Sequence, residues 1–394
     1  MRRLVEDSTV NRSNRGAGNI CDKQLERAPE EGCTVLISVG RASAEGRTII
    51  AKNRDVASVG PAEIMVLQIP HEGNRYLGMS TVEDPSSVTL GINEKGVICN
   101  TAGRYCREAN NPGTNAGVII SRGLQSAQTA KEMVARVEEI VRTEGKSRNG
   151  SAFASGDQTE SYVVETYQRV SEVYGPLRDT VLAYGNYALI DKMKEHERKS
   201  RGHRRGRRAQ RLMEKHKGKI TVPLMIRFCR DHERTPERAY IWDDDNICTH
   251  GFSIDTRGSG LCVTNKEYPE LLNVIWGSLN RPCHTPYIPF FMGMNQIPDE
   301  FATSKAYEAF EALGTRLEEI PKFKGQVQEY WEALEYQTLR ETIFLEKKVL
   351  ELADKGEEDL GREMLTRFVT ARGQQAVANA RKITERIQQQ GLLS

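Results

Sequence analysis

The sequence predicts an α+β fold in which a body of strands and helices is closed by a helical extension. Three observations predict it. Short β-branched and apolar runs, bounded by turn residues, recur between residues 33 and 291. One strongly amphipathic helical segment interrupts them near residue 130. From Thr303 onward the apolar residues recur only at helical spacing. Strands followed by a run of helices point to α+β.

The elements follow in chain order. Residues 1–32 are polar and charged, too poor in apolar surface to fold on themselves, and read as a leader. From Cys33 the character changes. CTVLISVG, the turn residues SAEG and RTIIAKNRD read as a β-hairpin ending at Asp55. AEIMVLQIP, SSVTLGI and KGVICNTAG read as further strands. SAQTAKEMVARVEEIVRTEG is a helix with Met133, Val134, Val137, Ile140 and Val141 on one face and Gly145 as its stop. ESYVVET and TVLAYGN read as two more strands. Residues 192–219 are strongly basic but carry no aromatic ring for base stacking, so a solvated, helix-rich excursion is expected. KITVPLMIRFCRDHE reads as a short capped helix, and LCVTNKEYPELLNVIWGSLNRPCHTPYIPFF returns to strands. In the tail, Trp331, Leu334, Ile343, Leu345, Val349 and Leu352 are expected to pack.

Composition narrows the function. The 394 residues carry a net charge of +2, which argues for neither nucleic acid nor membrane as a partner. No apolar run is long enough to span a bilayer, and the first thirty residues lack a secretory h-region. The 8 cysteines contain no CxxC pair, and no ligand spacing suggests a metal or an organic cofactor. A cytoplasmic setting is the default for such a chain.

One position stands out chemically. The strand-like run starts at Cys33, after a charged segment ending in Gly32. A cysteine nucleophile needs a base and donors for the oxyanion it creates. His232, His250 and His284 are the histidines to weigh, but no local motif ties any of them to a particular cysteine. A cut between Gly32 and Cys33 would supply a base on the same residue. The freed α-amine has a reference pKa near 8, far below that of lysine. Gly32, without a Cβ, leaves its carbonyl open to the thiol.

GCTVLISVG with GRTIIAKNRD resembles the start of cysteine N-terminal-nucleophile (Ntn) hydrolases. These include the dipeptidase A, isopenicillin-N acyltransferase and choloylglycine hydrolase families. GINEKGV is similar to the Asn-Glu-Lys-Gly turn of that superfamily, and ASGDQTESYVVET to its strand pair after the first helix. The arginine-rich RAQRLMEKHKGKITVPLMIRFCRDHE and NICTH resemble segments of the acyltransferases and dipeptidases. IWGSLNRPCHTPYIPFFMGMNQIPDEF and the tail from Tyr330 to Ile387 resemble the dipeptidases more closely. The likeness is patchy, and spans most of residues 33–390.

The resemblance implies an αββα sandwich with two antiparallel sheets between helix layers. It implies Cys33 as nucleophile, Asp55 as the carboxylate that holds the α-amine, and Asn186 as an oxyanion donor. Asn100 falls near a second asparagine of the group. Lys52 stands where choloylglycine hydrolase has an arginine, keeping the charge but losing the planar fork. The family's late arginine has no convincing match, with Arg257 and Arg281 as candidates. Residues 1–32 would then be a removable propeptide, 33–300 the catalytic domain and 301–394 a helical extension packed on it. The expected activity is cleavage of a small amide or peptide bond, dipeptidase-like, through a Cys33 thioester. Acyl transfer to an amine is the alternative, and a nucleic-acid- or partner-binding protein the remote one. The amphipathic tail could build a homo-oligomer interface.

Overall fold

The computed structural model describes residues 32–56, 60–107, 112–199, 202–232, 246–251 and 254–391. All but Gly32 of the leader lies outside them.

Fourteen strands are described: β1 (Gly32–Ser38), β2 (Ile49–Val56), β3 (Glu63–Gln68), β4 (Tyr76–Thr81), β5 (Leu90–Asn93), β6 (Ile98–Cys106), β7 (Gly150–Gly156), β8 (Ser161–Tyr167), β9 (Val170–Leu177), β10 (Val181–Tyr184), β11 (Glu197–Lys199), β12 (Asp255–Val263), β13 (Val274–Leu279) and β14 (Ile288–Phe291). The helices longer than one turn are α1 (Ala116–Ser126), α2 (Ala130–Glu144), α3 (His203–Lys215), α4 (Val222–Cys229), α5 (Lys305–Glu319), α6 (Lys324–Ala353) and α7 (Glu358–Gly391).

The strands form two sheets. The nucleophile sheet runs β10-β1-β2-β12-β13-β14, and the second runs from β3 to β9 in sequence order, with β11 added to β6. Every pairing between named strands is antiparallel. Period-two alternation decides what each face buries. In the second sheet Ile98, Ala102, Ala152 and Ala154 join the core shared with the nucleophile sheet. Their neighbours Cys99, Phe153 and Val164 join a separate core under α1 and α2. On the far side of the nucleophile sheet lie α3, α4 and the tail helices. The architecture is therefore αββα. The sheets approach closely at Gly260, where a Cβ would overlap Met79 and Leu90.

Local chemistry accounts for the clearest elements. Thr129 caps α2 by accepting the Glu132 N–H at 3.1 Å, and Gly145 ends it at φ +81°. All five apolar residues of its expected face are buried. Thr221 caps α4 in the same way. Three of the elements that were not foreseen show why. In α1, Gly117 and Gly123 weaken helix propensity but let Ser87 and Met133 pack against the backbone. β4 holds an interior glycine, Gly78, beneath Val88. β9 is largely exposed and so lacks an alternating apolar pattern.

The tail joins the body core. Trp331 is buried and donates Nε1–H to the His284 carbonyl at 2.9 Å. Glu335 of α6 accepts two bonds from Arg230, at 2.6 and 2.8 Å, and a third from the Tyr287 amide at 2.7 Å. One expectation for the tail fails: Ile343 is 61% exposed. It shares its face of α6 with exposed Tyr336 and Phe344, because only one edge of this long helix meets the core.

Candidate active site

Cys33 is the second residue of β1, between β10 and β2. Its register partner is Arg54, while Gly32 pairs with Asp55. Val35, two residues on, pairs with Tyr184 and Lys52, and Lys52 with Gly260. The open side of Gly260 meets the second sheet, so Cys33, Lys52 and Tyr184 point into the layer between the sheets. Cys33 is only 6% exposed.

The backbone of Cys33 is held as firmly as its strand. Its N–H donates to Asn186 Oδ1 at 2.9 Å, just beyond β10. Asn186 gives one of its two Nδ2 hydrogens to the Gly103 carbonyl at 2.8 Å, tying the nucleophile strand to β6. Arg205 of α3 also donates to Asn186 Oδ1. The same guanidinium lies 3.7 Å from Asp55 Oδ2.

Asp55 is fully buried on the opposite face of β2 from Lys52's neighbour Arg54. Its Oδ1 accepts from Thr256 Oγ1 at 2.7 Å, and that hydroxyl in turn accepts the Thr249 amide at 2.8 Å. Its Oδ2 has no hydrogen-bond partner among the described residues. Burial pushes the Asp55 carboxyl up from its ordinary value, and the Arg205 charge is the largest influence opposing this. A Cβ on Gly32 would lie 2.8 Å from Arg205 Nη2 and 3.0 Å from Asp55 Oδ2. The bond expected to break therefore sits directly against the charged pair.

The remaining candidates fall around this centre. Lys52 is buried and its Nζ donates to the Thr89 carbonyl at 3.2 Å. Asn100 is on β6 and shares the parity of Ile98 and Ala102, so it faces the nucleophile sheet. Both polar atoms of its buried amide lack hydrogen-bond partners among the described residues. Arg257 meets Glu311 at 2.6 Å, and Arg281 meets Asp255 at 2.8 Å and Glu318 at 2.9 Å.

Two residues at the centre were missed by sequence reasoning. Arg205 belongs to the basic run expected to be solvated, yet it is buried with Gly206, Ala209 and Met213. Their spacing of one, four and eight positions along the helix is the signal that could have found it. Tyr184 has a buried hydroxyl without a hydrogen-bond partner among the described residues. Burial holds it protonated well above the usual tyrosine range, and nearby Glu165, Cys99 and Cys33 reinforce this.

No ligand spacing suggests a metal, yet His232, Cys248, His250 and Cys283 place four ligand-type atoms within 4.8 Å of one another. Separations of 16, 2 and 33 positions hide the group in the sequence. A cleft lined by Val222, Pro223, Ile226, Trp276, Tyr336 and Leu339 lies between α4 and α6 and shares none of this lining with the Cys33 site.

A two-sheet αββα sandwich with a cysteine at the second position of an inner strand is the architecture of an Ntn hydrolase. The chain belongs to the family of acyl-coenzyme A:6-aminopenicillanic acid acyl-transferase, whose model matches residues 42–268, more than half the chain. It is accordingly an enzyme of the amide-bond hydrolase and acyltransferase class. The fold is similar to conjugated bile acid hydrolase from Clostridium perfringens, at 13% identity and TM-score 0.43, over 66% of this chain and 92% of that one. It is also similar to penicillin V acylase from Agrobacterium tumefaciens, at 14% identity and TM-score 0.43, over 66% and 85% of the two chains. No curated protein matches the sequence. Among the described residues, no helix is long and apolar enough to cross a membrane.

Proposed function

We propose that the protein is a self-processing cysteine amidohydrolase that cleaves small amide or peptide bonds. The observation carrying this reading is Oδ2 of buried Asp55, which has no hydrogen-bond donor among the described residues and is set beside Gly32, one register position from Cys33. A buried carboxylate oxygen without a donor is costly. An α-amine released at Cys33 would supply that donor.

In the processing step the Cys33 thiol attacks the Gly32 carbonyl. The S–C bond forms, the C–N bond to Cys33 breaks, and the nitrogen takes a proton to become the amine. Water then hydrolyses the thioester, releasing the leader as a carboxylic acid. In turnover, the amine accepts the thiol proton as sulfur attacks a substrate carbonyl, and returns it to the leaving amine. Asp55 orients the ammonium that forms transiently. The second Nδ2 hydrogen of Asn186, the amide of Asn100 and the protonated Tyr184 hydroxyl are the donors supporting an oxyanion in the inter-sheet layer. Lys52 supplies positive charge to the same layer.

Dipeptide-like substrates are favoured by the likeness of the proline-rich segment and tail to the dipeptidases. The family match favours acyl transfer to an amine as the second reading. We assign the enzyme to the cytoplasm, with neither nucleic acid nor membrane as partner.

The test begins with the intact mass of the purified full-length chain. Loss of residues 1–32 in the parent, and its absence in Cys33→Ala, are expected. A dipeptide panel with and without an added amine then separates hydrolysis from transfer. An uncut Met1–Ser394 chain that still hydrolyses dipeptides would defeat the mechanism, as would a Cys33→Ala chain cut as fast as the parent.

A further inference from the structure

His232, Cys248, His250 and Cys283 come from three separate stretches of chain and converge behind the Asp55 side of the nucleophile sheet. His250 Nε2 lies 3.5 Å from Cys248 Sγ and 3.2 Å from Cys283 Sγ. The His232 and His250 rings are 5.0 Å apart, centroid to centroid. Tetrahedral zinc, with Zn–S about 2.3 Å and Zn–N about 2.0 Å, places its sulfur and nitrogen ligands roughly 3.5 Å apart. The two His250–sulfur spacings agree with this, and all four ligand atoms lie within 4.8 Å of one another. We propose that these four side chains form a structural zinc(II) site with a Cys2His2 ligand set.

Three features favour zinc over an ordinary packed cluster. Two thiolates and two neutral imidazoles exactly offset the two charges of the ion, which suits a buried position. Soft sulfur and imidazole donors in a four-fold set select zinc among the common divalent ions. The outer partner of one ligand is also in place. His250 turns Nε2 toward the sulfurs and Nδ1 toward Glu318 Oε1 at 3.5 Å, and Arg281 fixes Glu318 at 2.9 Å. A carboxylate behind a ligating histidine sets its tautomer and orientation.

The ligands are also braced. The Cys248 amide donates to the Asp231 carbonyl at 3.1 Å, next to His232, and Arg208 pairs with Asp231 at 2.8 Å. The His284 amide, beside Cys283, donates to the Arg281 carbonyl at 2.9 Å. The site also has a route to the catalytic centre. Thr249 lies between two ligands, its amide donates to Thr256, and Thr256 donates to Asp55. The zinc would act as a positioning element for that carboxylate.

The test is metal analysis of the full chain, made without a histidine tag in zinc-supplemented medium. About one zinc per chain is expected in the parent, falling to about a tenth or less in the double variant Cys248→Ser/Cys283→Ser. Competition against a chromophoric chelator should show zinc held about 10–100-fold more weakly in Glu318→Gln, a variant that spares all four ligands. Cobalt(II) substituted into the parent should give the visible absorption of a tetrahedral thiolate site. A parent chain with less than about a tenth of a zinc and two titratable thiols at these positions would overturn the proposal. A Cys248–Cys283 disulfide found by mass spectrometry, or full zinc retention in the double variant, would do the same. None of these readouts depends on catalytic turnover.

Discussion

Replacing Arg205 by methionine should cripple the Cys33 centre while leaving most of the fold in place. The guanidinium is buried 3.7 Å from Asp55 Oδ2 and hydrogen-bonds Asn186, which itself holds the Cys33 nitrogen. At that separation the attraction is about 1 kcal/mol for a water-like dielectric and about 4 kcal/mol for an effective dielectric near 20. Arg205 is 2% exposed, so the upper part of this range applies. If both processing and turnover need ionised Asp55, losing the cation should slow each by roughly 10- to 1000-fold at neutral pH. Intact-mass kinetics of leader release and kcat/KM on the best substrate are the assays, with the melting curve as a control. Arg205→Lys keeps the charge but loses the fork and should fall between. A double-mutant cycle with Asp55→Asn isolates the pair, and its effects should be far from additive. Arg205→Met at parental rates, within about twofold, would refute the reasoning.

Two further outcomes are expected. Because the Asp55 carboxyl is pushed up, it takes its proton at higher pH than an ordinary carboxylate. The acid limb of the leader-release rate should therefore lie above the ordinary value near 3.9, and Asp55→Asn should slow release at every pH and flatten that limb. In the tail, Trp331→Ala should cost about 3–5 kcal/mol in denaturant unfolding, since the ring is fully buried and bonded to His284. Ile343→Ser, on the exposed face of the same helix, should stay within about 0.5 kcal/mol.

What could be read in advance follows the range of the forces involved. The hairpin holding Cys33 and Asp55 is local, so alternation and turn residues sufficed to place it. The α2 helix was legible because one apolar face and a terminal glycine agree over fifteen residues. Arg205 was illegible because its burial is decided by Asp55 and Asn186, 150 and 19 positions away. Charge composition alone assigns such an arginine to solvent. The His232 group was hidden for the same reason, its ligands being neighbours only once β12 and β13 are in place. Ile343 shows the opposite error: helical spacing identifies an apolar position without telling which side of a long helix faces a neighbour.

The inner sheet is assembled out of order. β1 lies between β2 and β10, and beyond β2 comes β12, whose first residues include the threonine that grips Asp55. A ribosome must therefore deliver more than 250 residues before the environment of Cys33 is complete. Under the proposed mechanism, shedding of the leader would be timed by this topology. An emerging or truncated polypeptide would keep its cap, and severing of the cap would certify that synthesis had passed Thr256.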